Sequence, residues 1–258
     1  MTTPGLRHVT PTAGVVLAPN PGPMTLEGTN TWVLQGPGRE DVLVVDPGPL
    51  DEGHLERVAS TGDVSLIVLT HGHYDHSEGA RRLHEMTGAH VLSLDPSYTI
   101  GGEALTEDGE VFGAAGVTLR LLHTPGHSSD SVSLYVEDDP AVLTGDTILG
   151  RGTTVVAHPD GVLRDYLRSL ERLRELGDVT VLPGHGPELP HAGVAAQQYL
   201  DHREQRLEQV RAAVGSGART AREVVETVYA DVDRVLWPAA ELSVRAQLDF
   251  LGVTPGSG

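Results

Sequence analysis

Short apolar, β-branched runs punctuate the first two-thirds of the chain: residues 15–18 (VVLA), 31–34 (TWVL), 42–46 (VLVVD), 64–70 (VSLIVLT), 89–94 (AHVLSL), 117–123 (VTLRLLH), 131–136 (SVSLYV), 141–145 (AVLTG) and 179–183 (VTVLP). Their length and composition predict strands. Helical periodicity lies between some of them, over residues 54–60, 77–86 and 163–176. Strands dominate early and helices late, which predicts stacked sheets with outer helices rather than a simple alternating parallel sheet. From about Pro190 the texture changes, and residues 193–214 carry Glu and Arg at helical spacing up to Gly215-Ser216-Gly217. Two further helical segments, 220–232 and 239–253, are separated by Trp237-Pro238. The expected division is a strand-rich domain over residues 1–190 and a helical C-terminal domain over 191–258.

Composition narrows the chemistry. Cys is absent, which removes disulfides, thiolate ligands and Cys nucleophiles and leaves imidazole and carboxylate as the donors for any metal. The net charge of −18, with no Lys and only 4% aromatic residues, gives a field that repels polyanions and little surface for base stacking. The expected partner is therefore a small anionic substrate rather than nucleic acid. No apolar stretch reaches bilayer-spanning length, and the first 23 residues lack a signal-peptide core, so a soluble cytoplasmic protein with no membrane association is expected.

The candidate chemistry follows the strands. The run His71-Gly72-His73-Tyr74-Asp75-His76 directly follows residues 64–70; His127 follows the strand at 117–123, Asp146 the one at 141–145 and His185 the one at 179–183. Strand ends collect along one rim of a sheet, so loops there bring residues distant in sequence to one centre. His71 and His73 can point at one ion while Asp75 and His76 reach a second, and Asp146 is the natural bridge because a carboxylate can share its oxygens between two cations. Two divalent ions held this way lower the pKa of a bridging water and supply hydroxide for hydrolysis, with Asp75 placed to orient the water or assist proton transfer. The donors favour zinc, and manganese or iron fits them as well. Of the eight other histidines, His8, His54, His84, His90 and His191 are expected in surface loops, His123 in a core or supporting position, and His158 in a loop near the cleft without a catalytic role.

The run THGHYDHSEG (residues 70–79), with the later GH, GD and GHG elements, resembles the metallo-β-lactamase fold superfamily. The resemblance implies an α+β fold, a four-layer αββα sandwich with the site at the edge of two sheets. It also implies that His71, His73 and His127 hold the first metal, that Asp75, His76 and His185 hold the second, and that Asp146 lies between. The Cys-bearing β-lactamases of this fold are excluded by composition.

Residues 20–34 (NPGPMTLEGTNTWVL), with TGDTILG, LPGHGP and HREQRLEQV, resemble the β-lactamase-like branch typified by the mammalian mitochondrial endoribonuclease. Residues 218–229 look like that branch's small winged-helix-like domain, and relatives of the branch include thioesterases acting on carrier-bound polyketides. Asn30 and Thr31, in the turn before a strand, are expected to offer polar groups to the cleft; His202 and Arg203, on the long helix, are expected to reach an anionic substrate group, whereas Arg206 is expected on a solvated helix face. The C-terminal domain carries more acid than base over residues 220–241 and reads as a lid or a homodimer contact. The leading expectation is a dinuclear metal-dependent hydrolase of an ester, thioester or phosphodiester. The alternatives are an endoribonuclease on single-stranded RNA, a glyoxalase-II-like thioesterase or mononuclear-iron persulfide dioxygenase, and a noncatalytic metal-binding scaffold, against which the full ligand set counts.

Overall fold

In the computed structural model, which describes residues 5–253, the apolar runs form two sheets whose inner faces make one core. The first sheet follows chain order: β1 (Arg7–His8), β2 (Ala13–Leu17), β3 (Asn30–Leu34), β4 (Asp41–Val45), β5 (Asp63–Val68) and β6 (His90–Leu92). Its first four strands pair antiparallel, and β4–β5 and β5–β6 pair parallel. The parallel steps need crossovers, which α1 (Glu52–Ala59) and α3 (Ala80–Thr87) supply. The second sheet, comprising β7 (Val111–Ala114), β8 (Val117–His123), β9 (Val132–Val136), β10 (Ala141–Gly145) and β11 (Thr180–Pro183), runs in the order β11-β10-β9-β8-β7. Its one parallel pair, β10–β11, is joined through α4 (Leu163–Arg174).

Alternation along each strand builds the layers. In β3 and β4, Trp32, Leu34, Leu43 and Val45 point into the intersheet core, where they meet Leu119, Leu121, Leu134 and Leu143 of the second sheet. Their neighbours Val33, Val42 and Val44 point the other way and pack with Leu55 and Val58 of α1 and Leu83 of α3. On the far side, Leu122, Val142 and Val181 pack under Tyr166 and Leu170 of α4 and Ala195 and Tyr199 of α5 (Ala192–Gly215). The result is the expected αββα sandwich. Strands covered on both faces read as continuous apolar runs, which is why β4 and β10 were legible. The edge strands β1 and β7 give no such signal because their residues alternate with solvent or lie wholly in it.

The long helix α5 serves two cores. Its first half belongs to the outer layer of the second sheet, and Val210 and Ala213 in its second half pack with Val224 and Val225 of α6 (Ala221–Val228) and Val244 and Leu248 of α7 (Trp237–Phe250). Helix α6 starts on a capping box, Thr220 with Glu223. Trp237-Pro238, expected as a separator, is instead the first turn of α7, where proline's missing N–H has no intrahelical partner to lose. The predicted helix over 77–86 is likewise split, into α2 (Tyr74–Ser77) and α3 after Gly79. No described helix is long and apolar enough to cross a membrane.

Candidate metal centre

The site lies where the two sheets are stitched together at one rim. Val132 N donates to Thr70 O at 2.8 Å and Asn30 N to Gly184 O at 2.8 Å, so the loops leaving β5 and β11 are held by backbone bonds to the opposite sheet. Those loops carry His71, His73, Asp75, His76 and His185; the loop from β8 to β9 carries His127, and the end of β10 carries Asp146. The structure therefore brings all seven sequence-predicted ligands to one place.

They converge as two groups of three. The donor atoms of His71, His73 and His127 lie within 4.8 Å of one another, and so do those of Asp75, His76 and His185. In the first group, His73 Nδ1 lies 3.1 Å from His71 Nε2 and 3.0 Å from His127 Nε2. In the second, His185 Nε2 lies 3.2 Å from both His76 Nε2 and Asp75 Oδ2. Asp146 spans the two: Oδ1 is 3.4 Å from His76 Nε2 and from His185 Nε2, while Oδ2 is 3.7 Å from His127 Nε2.

The back side of each ring fixes which nitrogen faces inward. The Thr70 hydroxyl donates to Asp46 Oδ2, so it accepts from His71 Nδ1–H at 3.0 Å. His76 Nδ1–H donates to Asp46 Oδ2 at 2.9 Å, His127 Nδ1–H to Val155 O at 2.8 Å, and His185 Nδ1–H to Gly28 O at 3.2 Å. All four therefore turn Nε2 into the site, the atom that a ligating imidazole presents once it is deprotonated. Ring nitrogens three ångströms apart need a proton or a metal cation between them. Asp146 Oδ1 is buried with no hydrogen-bond partner, an orphan that costs free energy unless a cation meets it. The donor set fits two divalent metal ions.

The titration of these groups follows from the same geometry. Burial holds His71 well below the usual imidazole range and lowers His127. Burial acts the same way on His76 and His185, but the Asp146 charge, helped by Asp46 at His76 and by Asp75 at His185, wins and raises both, His185 to about 9. Burial would raise Asp75, yet the hydrogen bond from His185 and the charge of His76 hold it below its usual value. A cation held in this half of the site would have to displace protons from His76 and His185.

Close approach explains one glycine. A Cβ on Gly184 would sit 2.6 Å from Asp146 Oδ1 and 2.7 Å from His76 Cε1, inside the ligand cluster. Gly184→Ala is therefore expected to keep the fold but lower kcat/KM by about 10²-fold, the order that a displacement of about 1 Å costs. Circular dichroism and steady-state kinetics check the two halves of that statement.

Several residues were not anticipated, and some expectations need correction. Asp46 is 1% exposed and grips Thr70 N, Thr70 Oγ1 and His76 Nδ1. With its oxygens already engaged it supports ligands rather than being one; its only sequence signal was an acid closing an apolar strand, as in TGD. Asn30 and Thr31 do not reach the cleft. The Asn30 amide donates to Pro183 O and Gly186 O, tying β3 to the His185 loop, and Thr31 Oγ1 pairs with His54 Nε2 at 2.9 Å. His54, expected at the surface, is fully buried, and burial with nearby Arg57 pulls its pKa down to about 4. His202 and Arg203 do line the cleft beside His127 and Asp146, and so does Arg206, which was expected on a solvated face. His158 is exposed and does not line the cleft. Tyr166 OH and Tyr199 OH donate to Thr147 O and Leu149 O, bracing the loop after Asp146 from α4 and α5.

Back-to-back sheets flanked by helices, with imidazole and carboxylate alone converging at the rim, define an αββα protein with a metal-binding type of donor set. The metallo-beta-lactamase superfamily model matches residues 24–185, and the chain belongs to that superfamily. Residues 220–251 match the beta-lactamase associated winged helix domain, which here has no strand among its described residues. The chain is 34% identical to an atrochrysone carboxyl ACP thioesterase of Aspergillus fumigatus, over 83% of this chain and 72% of that protein. It is 32% identical to a beta-lactamase-like protein 2 homolog of Caenorhabditis elegans, over 96% and 88%. A beta-lactamase domain protein from Burkholderia ambifaria shares the fold with a TM-score of 0.82 at 22% identity, over 98% of this chain and 89% of that one.

Proposed function

We propose that this protein is a dinuclear metal-dependent hydrolase whose substrate is a thioester or ester with a small acyl group. The observation that carries the reading is the cleft. About 340 Å³ of space opens onto His127 and Asp146, and its walls include Met24, Leu26 and Leu149 from the sheet loops and Val232, Leu236 and Ala240 from the C-terminal domain. Such walls suit an acyl chain or ring, with the reacting carbonyl presented at the ligand cluster. The carboxyl ACP thioesterase at 34% identity supports the same class.

Divalent cations, zinc foremost among those the donors suit, would be held by His71, His73, His127, Asp75, His76, His185 and Asp146 and would supply Lewis acidity that polarises a carbonyl and lowers the pKa of water. The chain's own residues do the rest. The apolar walls exclude bulk water and hold the acyl group in register with the site. Asp75, oriented by His185 at 3.2 Å, orients the attacking water, takes its proton and returns it to the leaving sulfur or oxygen as the tetrahedral species collapses, releasing a thiol or alcohol and a carboxylic acid that ionises in solvent. Among the described residues Tyr229 is the one Phe, Trp or Tyr lining the cleft, and the surrounding C-terminal segment carries Glu223, Glu226, Asp231 and Asp233. That surface suits a small acyl substrate better than RNA.

The test is a hydrolysis panel on zinc-loaded and manganese-loaded protein: N-acetylcysteamine thioesters, lactones, a phosphodiester and short single-stranded RNA. Chelator-sensitive turnover of thioesters or esters is expected. Preferential cleavage of RNA at physiological salt, or one tightly held iron with sulfur-dependent oxygen consumption, overturns the reading.

A further inference from the structure

Helix α5 presents to the cleft a guanidinium that no acid neutralises. Arg203 is 4% exposed and forms no ion pair among the described residues. Its Nη2 donates to Thr154 O, its Cζ lies 5.0 Å from the Tyr166 ring centroid, and its Nε is buried without a partner. A guanidinium carries five donors in a fork shaped for an oxyanion, and a buried charge left unpaired is disfavoured. Proteins keep such a group where a ligand completes it.

The other guanidiniums on the wall are paired with an acid or lie partly in solvent. Arg151 pairs with Glu27, and Arg206 donates to Gln209 and to Val228 O while lying over Tyr229. Among the described residues the acid lining the cleft is Asp146, and it faces the converging histidines. His202 stands next to Arg203 on the same wall, kept towards its neutral form by burial and by Arg203 and Arg206. In a protein of net charge −18, this is a local reversal of sign placed beside the reacting centre.

We infer that Arg203, assisted by His202, is a receptor for an anionic group carried by the substrate, a carboxylate or a phosphate, so that the enzyme selects acyl thioesters or esters bearing such a group. The inference rests on the hydrolase reading in that the anion belongs to the molecule being cleaved. Arg203 has a competing role to be separated out: it holds Thr154, whose hydroxyl donates to Asp146 O at 2.7 Å. A residue that only braces this loop affects charged and neutral substrates alike, whereas a receptor discriminates between them.

Two matched substrate pairs read the discrimination. Glutaryl against pentanoyl N-acetylcysteamine thioester places a carboxylate on the acyl side, and a 4′-phosphopantetheine against a pantetheine thioester places a phosphate on the leaving side. Wild-type protein is expected to favour the charged member of one pair by about tenfold or more in kcat/KM, the size of one charge-assisted hydrogen bond. Arg203→Met erases that preference, Arg203→Lys retains part of it, and the pair affected names the source of the anion. Equal losses on charged and neutral members in both pairs overturn the inference. Titration of metal-depleted protein with glutarate and with inorganic phosphate gives a readout independent of turnover. At least one Kd is expected to weaken about tenfold in Arg203→Met and to stay unchanged in Arg168→Ala, an exposed control on α4; unaltered Kd values in Arg203→Met overturn the receptor. If no thioester or ester is hydrolysed, the hydrolase reading fails and this titration still decides the subsite.

Discussion

Replacing Asp146 by Ala is expected to lower kcat/KM by at least ~10³-fold, about 4 kcal/mol of transition-state stabilisation. The size follows from position. Of the seven converging residues, Asp146 is the one with an oxygen towards each histidine group, Oδ1 at 3.4 Å from His76 and His185 and Oδ2 at 3.7 Å from His127. Without it the two halves lose their shared anion, and His76 and His185 lose the charge that most favours a cation between them. The fold should persist, because the loop is held through the Asp146 carbonyl by Thr154 and through Thr147 O by Tyr166. Kinetics and elemental analysis on the same folded sample check the expectation: activity and metal content fall together, and full activity with one ion per chain would remove Asp146 from the mechanism.

The second large effect belongs to a residue that touches no metal. Asp46→Asn keeps the left-handed backbone at this position, φ 53°, which Asn tolerates as well as Asp. It removes the charge that orients His76 and places an amide N–H₂ among the donors of Thr70 and His76. Loss of such a supporting carboxylate is expected to weaken metal affinity by about 10–100-fold, read by competition with a chromophoric chelator. A buried donor left without its acceptor costs about 1–3 kcal/mol, so the midpoint of urea unfolding should also fall. Unchanged metal affinity in a variant of lowered stability would make Asp46 a structural residue only.

How much of this was legible depended on how local the signal was. The residues that converge at the rim were legible because histidine and aspartate clustered behind apolar strands are chemically unusual, and the two-sided burial of β4 and β10 writes itself as near-continuous apolar runs. Asp46 was not, because its role exists only once the ends of β4 and β5 lie side by side, with Asp46 N on Val68 O at 3.0 Å. Asn30 and Thr31 carry turn-forming side chains that ordinarily face water; here the His185 loop takes the Asn30 amide and His54 of α1 takes the Thr31 hydroxyl, so their polarity is turned inward. Arg206 shows the reverse error, since helical charge spacing cannot reveal that α6 and α7 fold back to make a cleft wall.

The central claim is that seven residues at the rim hold two divalent cations. Its most direct test is equilibrium dialysis of the full chain against zinc, followed by elemental analysis, in wild type and in Asp75→Ala. The account predicts two ions per chain in wild type and a loss of one with abolished hydrolysis in the variant; one ion per chain in wild type, or two retained with full activity in the variant, contradicts it.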